Sequence, residues 1–273
     1  MYINIEQYKV KFLSALCGYL LPALILPVHV YTLSYFWSQY SRNVEKRFCS
    51  CSCWDTVFKG PYETGVATYK HMYFNATSNG CKMWMLTTFA IVSLYESIKR
   101  LVRLALLKRL RFSMALLFLT TLFSHYYSWW SFINYWNDDF YSQWNHQLFF
   151  SLTELFSTGV ILYYANSDNY ISTRLLLLIS GVGALHTLIA GSDQFIANVV
   201  QGRGQAHQVV RDLCLMTPDI LNIFVPIMLY AHTSWKKSRI ISGSVWNAIP
   251  KHGFEVAALL MLLVVGFTIS IVL

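Results

Sequence analysis

The sequence predicts an all-α polytopic transmembrane bundle of seven spans, with a cytosolic N-terminus and the C-terminus outside. Of its 273 residues, 55% are hydrophobic and only 12% are charged, whereas soluble domains carry about 25% charged residues. Long apolar runs recur along the chain, and a membrane-crossing helix needs about 20 such residues. Lys and Arg concentrate in alternate connections between these runs, which is the charge pattern that sets orientation in a membrane.

Seven apolar segments are the predicted spans. They cover residues 12–37, 83–98, 112–133, 147–165, 175–190, 213–232 and 254–273. The connection after the second span reads KRLVRLALLKRLRF and contains six Lys and Arg residues, so it gives the strongest cytosolic signal. Residues 134–145 contain no Lys or Arg and are predicted to lie outside, as is a loop at residues 191–211. No linker or repeat divides the chain, so we predict one membrane domain over residues 1–273.

The longest hydrophilic segment, residues 38–82, is predicted to be an extracytosolic loop within that domain. It contains four candidate disulfide cysteines, which are Cys49, Cys51, Cys53 and Cys81. It also contains Asn75-Ala76-Thr77, an acceptor sequence for N-glycosylation. Disulfides persist outside the cytosol, so both features favour the plasma membrane or a secretory-pathway membrane. Four cysteines allow three pairings, and the sequence does not choose among them.

Ionisable residues in or beside the later spans are the candidates for a ligand or ion pocket in the outer half of the bundle. They are His125, His146, Glu154, His186, Asp193, His207, Arg211, Asp212 and Asp219. A charged group inside a bilayer is costly and usually faces a cavity or another charge. Helical spacing places three pairs on shared faces: His186 with Asp193 (if the helix continues), Asp212 with Asp219, and His207 with Arg211.

Glu154 is the most informative of these residues because its neighbours in the sequence are apolar or weakly polar. Two interpretations remain open for it. The carboxyl group takes part in proton or cation coupling beside a cation such as Arg211 or a histidine. Alternatively, it is a neutral carboxyl group that a Ser, Thr or Tyr of a neighbouring helix satisfies.

No cofactor and no metal ligands are assigned from the sequence, although zinc remains an alternative. Zinc sites need about three converging protein ligands, and neither HExxH nor a paired CxxC motif is present. The spacing Ser142-x-x-x-His146 and the span count are similar to the histidine-rich seven-span hydrolases of the receptor-like and ceramidase-like superfamily. The last span lacks the further histidines of those hydrolases, so no site residue is transferred from the resemblance.

The predicted function is binding or passage of a small solute or ion through the polar pocket, as in a transporter, channel-like protein or receptor, and not catalysis. One alternative is an integral-membrane hydrolase with a histidine and acidic site that holds zinc. Another is an accessory subunit of a different membrane protein. The net charge of +8 follows from the clusters in cytosolic connections, so membrane lipid, and not nucleic acid, is the expected partner.

Overall fold

The computed structural model describes residues 2–40, 56–59, 68–71, 78–138, 143–241 and 253–272, and these are predominantly helical. Their elements in chain order are α1 (Tyr2–Tyr40), β1 (Thr56–Lys59), β2 (Thr68–His71), α2 (Ser78–Leu106), α3 (Phe112–Asp138), α4 (Trp144–Tyr164), α5 (Thr173–Ala190), a π-helical segment (Gly191–Val200), α6 (Ala206–Ile241) and α7 (Gly253–Val272). Each of the seven predicted spans falls on one of the seven α-helices, so the helical class is confirmed.

Three helical segments in the described part of the chain are long and apolar enough to cross a membrane. They are Glu6–Ile25 in α1, Thr173–Ala190 (all of α5) and Ala206–His232 in α6. A shorter apolar segment, Ala257–Ser270, lies in α7. The prediction of a membrane-type helical protein therefore rests on three candidate spans, while the count of seven and the orientation of the ends stay predictions.

Helix α4 shows an inverted distribution of polarity, with its charged residue inside and its large apolar residues outside. Glu154 is 4% exposed, whereas Leu152 and Phe156 are 58% and 55% exposed. Extended apolar patches are rare on the surface of soluble monomers, and ionisable groups in membrane helices usually face the interior of the bundle. The surface of α4 is thus suited to lipid even though α4 is not one of the three candidate spans.

Two local elements differ from the sequence predictions. β1 and β2 form an antiparallel pair in which Thr56 pairs with His71 and Lys59 with Thr68, inside a segment predicted to be a loop. The prediction of a loop at residues 191–211 is wrong, because Gly191–Val200 is π-helical and α6 begins at Ala206. π-helical turns are rare and usually short, so a polar stretch of this kind reads as a loop in the sequence.

Two compact units account for the chain: Met1–Arg103 with Ser131–Tyr141, and Leu104–Trp130 with Ser142–Leu273. In the first unit, α1 and α2 approach closely at Gly18. A Cβ atom there would lie 2.9 Å from the ring of Tyr95. The ring centroids of Tyr19 and Tyr95 are 4.6 Å apart, and Asn79 donates a hydrogen bond to the backbone oxygen of Trp136.

In the second unit, α5 is the central helix. Its glycines Gly181 and Gly183 face α7 and α6, because added Cβ atoms would lie 2.5 Å from Leu259 and 2.6 Å from the backbone oxygen of Asp219. These close approaches are typical of membrane helices, where small residues permit tight packing. The hydroxyl of Ser180 also donates to the backbone oxygen of Ile223, so α5 and α6 are held together by both packing and hydrogen bonds.

Arg111 connects the start of α3 to the end of α4. Its guanidinium group donates to the backbone oxygens of Tyr164, Ser167 and Asn169, which are carbonyl groups that the end of a helix and its following turn leave without partners. Partial burial lowers the pKa of Arg111, but a guanidinium remains charged because its ordinary value lies far above neutral pH. Arg111 is therefore a structural cation.

Replacing Arg111 with Met is expected to lower the free energy of unfolding by about 1–2 kcal/mol, since three carbonyl groups lose a charged donor. The measurement is thermal unfolding of the purified protein in detergent. Arg109→Met is the matched control because Arg109 pairs with Asp168 at 3.1 Å on an exposed surface, where an ion pair contributes about 1 kcal/mol or less. Equal losses in the two variants would contradict the assigned role.

Candidate metal centre

The side chains of Glu154, His186 and Asp219 meet in the second unit. Glu154 comes from the middle of α4, His186 from the C-terminal half of α5, and Asp219 from α6. His186 Nδ1 lies 3.1 Å from Asp219 Oδ1 and 3.5 Å from Glu154 Oε2. One ligand atom from each residue lies within 4.8 Å of the others, and all three residues are buried. This cluster, called the triad below, could hold a metal ion.

The other nitrogen of His186 is held by Thr153. His186 Nε2 lies 2.7 Å from Thr153 Oγ1, and that hydroxyl donates its hydrogen to the backbone oxygen of Phe149 at 2.8 Å. A hydroxyl has only one hydrogen to donate, so Thr153 accepts a hydrogen bond from Nε2–H. Nδ1 then faces the two carboxyl groups. A hydrogen bond to the second nitrogen is the usual way in which proteins orient a metal-binding histidine.

With both carboxyl groups ionised, the charges of the triad do not balance by themselves. Two ionised carboxyl groups and a neutral imidazole carry a charge of −2, and protonation of the imidazole leaves −1. Within the described residues, no Lys or Arg forms an ion pair with Glu154 or Asp219. An uncompensated buried charge is strongly unfavourable, whereas one divalent cation bound to two carboxylates and a neutral imidazole gives a neutral site.

Three residues at or beside the triad have buried polar atoms without hydrogen-bond partners among the described residues. These atoms are Glu154 Oε1, Ser157 Oγ, and both Oδ1 and Nδ2 of Asn222. Ser157 and Asn222 are fully buried. Nearly all buried polar groups in proteins have a partner in the protein or in bound water, so these atoms indicate that the triad region accommodates something besides protein.

Local sequence explains how the triad assembles. Gly183 lies one turn before His186 on the same face of α5, and it allows the backbone of α6 to approach at Asp219. Glu154 shares its face of α4 with Ser151 and Ser157, which are three residues away on either side, and all three are buried. This polar face turns inward because the opposite face consists of exposed Leu and Phe residues.

Two of the predicted site histidines lie near the triad without joining it. His125 Nε2 is 2.8 Å from Thr158 Oγ1, one turn beyond Glu154 on α4. The ring of His146 lies 4.9 Å from that of Phe150, and the ring of Phe150 lies 4.7 Å from that of His186. Phe150 therefore separates His146 from the triad.

Arg211 and Asp212 form a separate network with the π-helical segment. Arg211 pairs with Asp212 at 2.7 Å and also donates to Gln194, while Asn198 donates to the second carboxylate oxygen of Asp212. Arg211 therefore compensates the charge of Asp212. This network holds the π-helical segment against α6 and does not include the triad. Asp212 and Asp219 share a face of α6, but they belong to different clusters.

Of the remaining predicted residues, only His207 and Cys81 have side chains that the structure describes. His207 is half-buried on the first turn of α6. Asp193 belongs to the π-helical segment, and its side chain falls outside the described residues, as do Cys49, Cys51, Cys53, Asn75 and Ser142. Cys81 is an exposed free thiol on the first turn of α2, with its sulphur 4.0 Å from that of Met85. In contrast to the sequence prediction, Cys81 therefore forms no disulfide.

Thr153, Ser157 and Asn222 were not predicted from the sequence. Ser157 and Asn222 each follow a triad carboxylate by three residues, and that spacing shares a helix face. The same spacing could have identified them, but Ser, Thr and Asn are too common in membrane helices for it to select these positions without a structure.

The described residues form a helical protein with three candidate membrane spans and a buried Glu–His–Asp cluster. The chain belongs to the family of unknown function DUF8801, whose profile matches residues 11–273. Neither the curated proteins nor the solved structures contain a match to the chain.

Proposed function

We propose that the protein is a multi-pass integral membrane protein that binds a divalent metal cation at the triad and passes it through the bundle. The observation that carries this proposal is the convergence of two buried carboxyl groups and one imidazole, whose charge a divalent cation neutralises when both carboxyl groups are ionised. The seven helices then act as seven spans, with the N-terminus in the cytosol, in the plasma membrane or a secretory-pathway membrane. Membrane lipid covers the exposed apolar faces.

Zinc suits this donor set better than calcium or magnesium. Zinc bonds to His nitrogen and carboxylate oxygen at about 2.0–2.2 Å in tetrahedral geometry, so its ligand atoms are about 3.3–3.5 Å apart. His186 Nδ1 lies 3.1 Å and 3.5 Å from the two carboxylate oxygens, which is close to that separation, and the ligand atoms of the two carboxyl groups lie within 4.8 Å of each other. Calcium needs six to eight oxygen ligands and magnesium prefers octahedral oxygen sites, so an imidazole nitrogen disfavours both.

The proposal is tested by equilibrium dialysis of the purified full chain in detergent against Zn²⁺, followed by elemental analysis. We expect about one zinc ion per chain, with little competition from excess Mg²⁺ or Ca²⁺. Asp219→Asn should weaken zinc binding about 10-fold because a neutral oxygen replaces a charged ligand. Uptake of Zn²⁺ into proteoliposomes that contain a zinc-sensitive dye then distinguishes passage from binding alone.

Asp168→Asn is the matched control for Asp219→Asn. Asp168 is an exposed carboxylate paired with Arg109, and its replacement should leave zinc binding unchanged. A wild-type chain that binds no stoichiometric zinc, or equal losses of affinity in the two variants, would contradict the proposed function.

A zinc-dependent membrane hydrolase is the second candidate, because three protein ligands leave the fourth tetrahedral position open, as in catalytic zinc sites. Incubation of zinc-loaded protein with a panel of lipid esters and amides separates the two candidates. Zinc-dependent turnover that Glu154→Gln abolishes would favour the hydrolase, whereas zinc passage without turnover supports the cation-binding function.

A further inference from the structure

The triad is buried on all sides in the second unit, so a cation needs a route to reach it. The orientations of three helices define its two sides. In α4 and α5, Thr153 contacts His186 while the hydroxyl of Tyr164 accepts from the backbone nitrogen of Ser172, so these helices are antiparallel. In α5 and α6, the pairs His186–Asp219 and Ser180–Ile223 show the same relation. Helices α4 and α6 therefore run in the same direction.

Because α4 and α6 are parallel, Ser157 and Asn222 lie on the same side of the triad, one turn after Glu154 and Asp219 respectively. Helical side chains lean towards the N-terminus of their helix, so both side chains lean back towards the triad. We call Ser157 and Asn222 the second polar layer. On α5 this layer is level with Gly183, since a Cβ atom there would be 3.0 Å from Asn222 Cβ. Gly183 leaves space for Asn222 where a larger residue would fill it.

The opposite side of the triad is closed. The ring of Phe150 packs 4.7 Å from the ring of His186. Farther along α4, Gln147 donates to Ser128 and Ser151, and Ser151 donates back to the backbone of Gln147. These polar groups satisfy one another, whereas those of the second polar layer have unpartnered buried atoms. Unpartnered polar atoms need water or an ion, so the polar groups that are available to a cation lie on the side of Ser157 and Asn222.

We propose that Ser157 and Asn222 line the route by which a divalent cation moves between the triad and one end of the bundle. This inference rests on the proposed cation-binding function. The oxygen atoms Glu154 Oε1, Ser157 Oγ and Asn222 Oδ1 replace part of the water shell of the cation in transit, while Glu154 Oε2, His186 and Asp219 hold it at rest. With the predicted orientation of the chain, the route opens towards the cytosolic end of the bundle.

The test measures rates and equilibrium separately on the purified full chain in detergent. Zinc is loaded, and its release to an excess of a colorimetric chelator is followed by stopped flow, while equilibrium dialysis gives the dissociation constant. Asn222→Leu should slow both zinc association and zinc release by about 10-fold or more, since an apolar side chain replaces the carbonyl and amide groups of the route. The dissociation constant should change less than about threefold, because the triad ligands remain.

Thermal unfolding of the same variant separates a functional role from a structural one. An unsatisfied buried amide costs free energy, so Asn222→Leu should unfold at a temperature no lower than the wild type. Slower zinc exchange in a protein of equal or greater stability is the expected combination. If Asn222→Leu fails to fold, Ser157→Ala supplies the same rate test with a smaller change of volume, and the expected slowing is then about threefold or more.

Ser151→Ala is the matched control for Ser157→Ala, because the two serines lie one turn before and one turn after Glu154 on the same buried face of α4. The control should leave the exchange rates unchanged. Unchanged rates in Asn222→Leu and Ser157→Ala, or slowing only in Ser151→Ala, would overturn the proposed route while zinc binding by the wild type still supports the proposed function. A wild type that binds no zinc would overturn both proposals.

Discussion

Replacement of His186 with Ala is expected to reduce zinc affinity by more than 100-fold. Loss of a partner that only orients a metal ligand costs about 10–100-fold in affinity, and His186 is itself the nitrogen ligand that both carboxylates face, at 3.1 Å and 3.5 Å. Without it, two buried carboxylates remain with no imidazole between them. We therefore expect a larger effect than that of Asp219→Asn, which keeps an oxygen ligand in place.

The same substitution should also lower the free energy of unfolding of the zinc-free protein by about 3–5 kcal/mol, the usual cost of removing one partner from a buried charged cluster. Equilibrium dialysis with Zn²⁺ and thermal unfolding in detergent measure the two effects. His232→Ala is the control, because His232 is an exposed histidine of α6. Equal zinc affinity in the wild type and His186→Ala would show that the triad is not the metal site.

A triple variant tests whether the triad contributes to function or only to stability. Changing Glu154 and His186 to Gln and Asp219 to Asn removes the charges together, and replacement of a whole buried charged cluster is often neutral or stabilising. The triple variant should therefore be more stable than His186→Ala and should bind no zinc. Weaker stability than that of His186→Ala would indicate that the cluster is mainly structural.

Much of the helical fold was predictable because apolar run length and the distribution of Lys and Arg depend only on local sequence. Each predicted span falls on a helix, although α1, α2 and α6 extend beyond the apolar segments. The π-helical segment was not predictable, because the contacts that fasten it run from Gln194 and Asn198 to Arg211 and Asp212 on α6. Such contacts depend on tertiary packing, which periodicity does not report.

The candidate site was predictable in its residues but not in its geometry. Glu154 and Asp219 stand out as ionisable groups in apolar runs, since the membrane makes such groups rare. The choice of His186 over His125 and His146 depends on how α4 and α5 are rotated about their axes. That rotation follows from the close approach of α5 to α6. The sequence identifies the glycines that permit this approach, but it does not give the angle of rotation.

Gly183 is therefore the position where a small substitution should have the largest effect on packing. Gly183→Ala is expected to lower the free energy of unfolding by about 1–3 kcal/mol, the cost of overpacking. The added Cβ atom would lie 2.6 Å from the backbone oxygen of Asp219 and 3.0 Å from Asn222 Cβ. A helix backbone cannot move as easily as the end of a side chain, so α5 and α6 must separate. Zinc affinity should fall as well, because Asp219 moves away from His186.

Two other glycines give a graded set of controls for Gly183→Ala. At Gly181 the nearest atom to an added Cβ is the flexible end of Leu259 at 2.5 Å, whereas at Gly159 nothing lies within 4 Å. Gly181→Ala should therefore cost less than Gly183→Ala, and Gly159→Ala should stabilise α4 by about 0.5–1 kcal/mol because Ala favours helix over Gly. Thermal unfolding and zinc dialysis of the three variants provide the comparison. If Gly183→Ala unfolds and binds zinc like Gly159→Ala, the backbone of α6 does not hold Asp219 against α5, and the triad geometry would need a different support.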